Sequence, residues 1–116
     1  MGICEGRTAL VTGASRGIGK ATAQRLASEG ASVVVTASQL GPKPNYEGSL
    51  DETVAMIEET GGRAAAVACD LGDADARADL VERARDAIGA PIDILVNNAA
   101  SAAFKAASLT ELSARR

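Results

Sequence analysis

Histidine is absent from the 116 residues, which removes His general-base catalysis, Ser-His-Asp and Cys-His nucleophile systems and every His-ligated metal site. Tryptophan is missing too, and tyrosine and phenylalanine occur once each, so the core has to be built from aliphatic residues and alanine. The two cysteines, Cys4 and Cys69, stand far apart and form no C-x-x-C pair. They suggest neither a zinc pair nor a disulfide framework, and a reduced, cytoplasmic chain is the simplest reading. Lys and Arg number 12 against 15 Asp and Glu, a net charge of -3 with no basic cluster. That balance argues against nucleic acid and anionic membrane as partners, because phosphate binding needs concentrated positive charge. No apolar run approaches the ~20 residues of a membrane span, and the start lacks the basic and apolar regions of a signal peptide. Met1-Gly2 resembles a myristoylation start, but Gly6 stands where that signal wants Ser or Thr. With 47% hydrophobic and 23% charged residues, the length suits one ordinary soluble domain and excludes two.

What is present alternates. Short β-branched or aliphatic runs are separated by stretches of helical period, the pattern of βαβ units on a parallel sheet. Thr8 to Thr12 reads as a buried strand ending at a glycine, followed by a helix with Ile18, Thr22 and Leu26 on one face and Ala23 and Ala27 beside them. Gly30 stops that helix, and Val33 to Thr36 gives a second strand without alternation, hence covered on both faces and interior. Residues 38–49 carry Gly41, Pro42, Pro44, Asn45 and Gly48, a density of turn formers that predicts one long loop. Leu50, Val54 and Ile57 predict a second helix up to Gly61-Gly62, and Ala64 to Ala68 a third strand. Asp73 is placed to cap a helix presenting Ala76, Leu80, Ala84 and Ile88. Ile92 to Val96 predicts a fourth strand, and Ser108 to Arg116 the start of a further helix.

The chemistry is concentrated in Thr12 to Gly19, TGASRGIG, where Gly13, Gly17 and Gly19 fall on a strand-to-helix junction. Glycines there let the backbone turn tightly and let a pyrophosphate approach without a Cβ in the way, while the N–H groups and positive dipole end of the next helix face the anion. The spacing is G-x-x-x-G-x-G rather than the general G-x-G-x-x-G dinucleotide fingerprint. A phosphate-binding G-x-x-x-x-G-K-[ST] loop is excluded, because Ala14 replaces its first glycine and Ala21 follows Lys20. A glycine turn that packs a helix on a sheet without any ligand is the bland alternative.

These residues resemble the short-chain dehydrogenase/reductase family. TGASRGIG is similar to its T-G-x-x-x-G-x-G signature, Asp70-Leu71 after strand three to its adenine-contacting aspartate, and Val96 to Ala100 to its N-N-A-G motif, with Ala100 in place of the usual glycine. The resemblance implies a Rossmann-like, doubly wound parallel sheet with strand order 3-2-1-4, cut short after about four strands. It implies cofactor contacts from Gly13, Ser15, Arg16, Gly17, Ile18, Gly19, Ser38, Asp70, Leu71, Asn98, Ala99 and Ala100. NAD-preferring enzymes place an acid about 20 residues past the glycines to accept from the ribose 2'-OH. Here that region reads Thr36-Ala37-Ser38, and Arg16 supplies a cation able to pair with a 2'-phosphate, so NADP(H) is favoured over NAD(H).

The family's catalytic set is a serine and a Y-x-x-x-K pair. The single tyrosine, Tyr46, is followed four residues on by Leu50 and sits in the loop after strand two, so no catalytic role is carried onto it. Ser101 comes too soon after strand four to be that serine, and Lys20 and Lys105 read as surface lysines. Residues 1–116 are therefore expected to be the N-terminal, cofactor-binding part of one domain, without its catalytic half. The expected whole is a hydride-transferring oxidoreductase acting on a small carbonyl or alcohol and able to form a homo-oligomer; this chain alone is expected to be inactive, with strand four an open, sticky edge. A non-catalytic dinucleotide-binding module is the alternative, and an interaction domain with a vestigial loop a weaker third.

Overall fold

The computed structural model describes residues 2–38, 41 and 48–99. Most of the turn-rich stretch, with Pro42, Pro44 and Tyr46, lies outside the described residues, as do Ala100, Ser101, Lys105 and the 108–116 segment.

Among the described residues, four strands and four helices alternate much as the apolar runs predict. They are β1 (Thr8–Thr12), α1 (Gly17–Ser28), β2 (Ser32–Ala37), α2 (Leu50–Glu59), β3 (Arg63–Ala68), α3 (Ala74–Ala78), α4 (Leu80–Ile88) and β4 (Ile94–Val96). Every strand pair is parallel, and the sheet order is β3-β2-β1-β4, so β2 is interior as its unbroken valine run requires. Alternation along the strands divides the core in two. Val11, Val33 and Val35 face α1 and α2 with Ala23, Ala27, Leu50 and Ile57. Leu10, Val34 and Val67 face the other way, onto Leu80, Ala84 and Ile88 of α4. β4 pairs with β1 alone among the described residues, and its Leu95 is 56% exposed.

Three details depart from the sequence reading. α1 buries Ala23 and Ala27, as expected beside the predicted stripe, and packs Leu26 against the same core, but it buries Gly19 while Ile18 is 77% exposed. The smallest side chains are turned inward because they let the helix axis approach the sheet closely. The predicted third helix keeps its apolar face but breaks at Asp79, whose φ of -112° and ψ of 12° interrupt the helix for one residue. β4 begins at Ile94 rather than Ile92. Ahead of it, Asp93 takes over the pairing: its carboxylate accepts from the Thr8 N–H (3.1 Å) and its own N–H donates to the Thr8 carbonyl (3.0 Å).

Asp73 caps α3 as its position suggests, its Oδ1 accepting from the N–H of Asp75 (2.9 Å) and Ala76 (3.4 Å). Those amides have no partner within the helix. Asp73→Ala is accordingly expected to lower stability by about 1 kcal/mol in urea unfolding, with an unchanged denaturant slope.

Candidate functional site

Because all four strands run parallel, their C-terminal ends share one edge of the sheet, the edge where α/β folds of this order receive ligands. The sequence-predicted residues follow those ends. Gly13 to Gly19 leave β1, Ser38 directly follows β2, Asp70 and Leu71 come two and three residues after β3, and Asn98 and Ala99 follow β4. The topology thus gathers on one rim positions up to 86 residues apart. Ala100 alone of that set lies outside the described residues.

The glycine loop is held from two sides. Its first turn is tied to the end of β2 by Ala14 N–H donating to the Thr36 carbonyl at 3.2 Å. On the other side, Asn98 Nδ2 donates to the Gly13 carbonyl at 3.2 Å. The Thr12 hydroxyl accepts from the backbone N–H of Asn98 (2.9 Å) and Ala99 (3.0 Å) and donates to the Val96 carbonyl (3.3 Å), joining the ends of β1 and β4. Only glycine fits the seam between them. A Cβ on Gly13, which has φ +65°, would lie 2.9 Å from Ala99 Cα, and one on Gly19 would overlap the Gly13 carbonyl oxygen.

The start of α1 is open towards this rim. Its N-cap is Arg16, extended at φ -163° and ψ 175°, with no side-chain cap and no acidic residue in the first turn. The first bond into the helix backbone is Lys20 N–H to the Arg16 carbonyl, so the amides of Gly17, Ile18 and Gly19 precede the helical ladder. A Cβ on Gly17 would meet nothing within 4 Å. A helix start with no side-chain cap, with glycines at 17 and 19 and no atom of the described residues against Gly17, is the chemistry a pyrophosphate requires, and these residues fit such a group. Asp70 is exposed and its Oδ1 accepts from Gly72 N–H at 2.9 Å, an Asx turn that shapes the loop after β3. Arg77 fixes the same loop by donating to the Leu71 carbonyl at 2.6 Å.

Sequence reasoning missed Thr53. This residue is fully buried in α2, and its hydroxyl donates to the Ala14 carbonyl inside the glycine loop at 2.8 Å. A usable signal was there: position 53 shares the apolar face of Leu50 and Ile57, and a hydroxyl on a core face needs a partner.

Parallel strands, helices on both faces and a glycine turn against an uncapped helix define a Rossmann-like α/β domain. The short chain dehydrogenase family matches residues 7–115, and this chain belongs to that family. It is 45% identical over 96 residues to hydroxysteroid dehydrogenase-like protein 2 of Danio rerio, covering 83% of this chain and 23% of that protein. A metagenomic short-chain oxidoreductase solved in complex with NADP is 42% identical with a TM-score of 0.72, over 84% of this chain and 40% of the other. A short chain dehydrogenase from Mycobacterium thermoresistibile superposes with a TM-score of 0.78 at 35% identity, over 96% of this chain and 40% of its own. The chain therefore spans less than half the length of these relatives. No helix among the described residues is long and apolar enough to cross a membrane.

Proposed function

We propose that this chain is the NADP(H)-holding part of a short-chain oxidoreductase that moves a hydride between nicotinamide and a small carbonyl or alcohol. The observation that carries the reading is the cradle at Gly13, Gly17 and Gly19 over an uncapped α1, with Arg16 at its N-cap. In this reading the amides of Gly17, Ile18 and Gly19, with Ser15, hold the pyrophosphate. Asp70 and Leu71 border the adenine, and Asn98, Ala99 and Ala100 the ribose on the nicotinamide side. The bound cofactor supplies the hydride. Proton transfer is assigned to none of these residues, since Tyr46 is not followed by a lysine at position 50.

The preference for the 2'-phosphorylated nucleotide rests on Thr36-Ala37-Ser38, where no carboxylate follows β2, and on exposed Arg16. The metagenomic relative bound to NADP supports it. A guanidinium–phosphate contact is charge-assisted, so its loss costs about 1.5–3 kcal/mol. Arg16→Ala is expected to weaken NADPH at least tenfold and NADH by less than about twofold, read from the fluorescence of the reduced nicotinamide on titration. Equal losses would remove Arg16 from the 2'-phosphate site. A parent chain that saturates with neither nucleotide would sink the cofactor reading itself.

A further inference from the structure

The start of α2 leans against the glycine loop and the first turn of α1 at three points. Thr53 donates its hydroxyl to the Ala14 carbonyl at 2.8 Å. Gly48, at φ +81°, lies so close to the Ser15 carbonyl oxygen that a Cβ would overlap it. Glu52 pairs with Lys20, the residue after Gly19, at 2.8 Å. The Thr53 bond is the informative one. A helical threonine ordinarily bonds back to the carbonyl four residues earlier, and Thr53 does reach that of Ser49 at 3.2 Å. A hydroxyl has one proton, and the shorter bond is the one that leaves the helix, crossing 39 residues of sequence to the loop.

From this geometry we propose that the first turn of α2 braces the phosphate loop, with Thr53 a positioning residue for nucleotide binding; the inference rests on the cofactor reading above. Ala14 is held on both sides of its peptide: its N–H goes to Thr36 of β2 and its carbonyl accepts from Thr53. Fixing that residue fixes where Ser15 and the amides of Gly17 to Gly19 stand relative to the sheet. Ser49 completes the brace, its buried hydroxyl accepting from Glu52 N–H at 3.1 Å and so ordering the turn that carries Thr53. The loop that sequence alone would treat as a spacer thus ends in a part of the binding machinery.

Thr53→Val keeps the shape and removes the donor. It is expected to raise the Kd of NADPH and of NADH by about the same factor, roughly tenfold, because both carry the pyrophosphate. Thr53→Ser is expected to bind like the parent chain, and Thr53→Cys, a weaker donor that keeps most of the volume, to fall between them and to serve should the valine variant not fold. The brace is overturned if the folded valine or cysteine variant binds both nucleotides as the parent does. It is equally overturned if serine fails to restore binding, or if NADPH alone is lost. A parent chain that binds neither nucleotide overturns the cofactor reading and the brace with it.

Discussion

Gly19→Ala is expected to abolish measurable nucleotide binding and to lower the unfolding free energy by about 2–3 kcal/mol. The added methyl would overlap the Gly13 carbonyl oxygen and lie 2.6 Å from Asn98 Nδ2. Neither atom gives way cheaply. The carbonyl is backbone, in a turn whose neighbouring Ala14 is pinned on both sides, and Asn98 Nδ2 is the donor that holds that same carbonyl. Relief therefore requires α1 to lift off the sheet, and Gly19 begins the face that buries Ala23 and Ala27. Lifting it separates the amides of Gly17 to Gly19 from the rim while also opening the core. Urea unfolding and NADPH titration measure the two effects. An alanine variant with the parent's midpoint and affinity would mean that the seam between Gly13 and Gly19 is wider than the structure shows.

That residue also shows how far the sequence could be read. The strands and the glycine turn were legible because a strand buried on both faces announces itself as an unbroken apolar run, and glycine punctuates where the chain must turn, whereas the strand order came only with the family resemblance. The facing of α1 was legible only in part. Ala23 and Ala27 are buried beside the expected stripe and Leu26 packs against the same core, but Gly19, which carries little hydrophobic signal because its contribution is smallness, is buried where Ile18 was expected. Ile18 is instead left exposed beside the site. Thr53 escaped for a different reason. Its partner lies 39 residues away, and periodicity within a segment says which face is buried but not what that face touches. Asp70 stands between these cases: its placement after β3 followed from the motif, whereas its bond to Gly72 N–H is local turn chemistry that the residue type alone permits.

Thr12→Val is expected to cost about 2–3 kcal/mol of stability and more than tenfold in nucleotide affinity, although valine has the same shape and the site is 3% exposed. The hydroxyl of Thr12 uses its full capacity, one proton given to Val96 and two N–H groups accepted from Asn98 and Ala99. β4 has three residues and pairs only with β1 among the described residues, so this one oxygen extends the β1–β4 connection past the end of the ladder. Removing it strands two donors. Asn98 is half-buried and pays most of the penalty, while the exposed Ala99 amide can turn to water. Asn98 then loses the anchor that aims its Nδ2 at the Gly13 carbonyl, and the loop after β4 drifts from the loop after β1. Binding suffers along with stability because a cofactor spanning the rim needs both loops in register. Thr12→Ser, which keeps the oxygen and loses a methyl, is expected to stay within about 1 kcal/mol of the parent and within about twofold in affinity. If serine falls while valine stays with the parent, packing of the methyl rather than the three hydrogen bonds holds this junction.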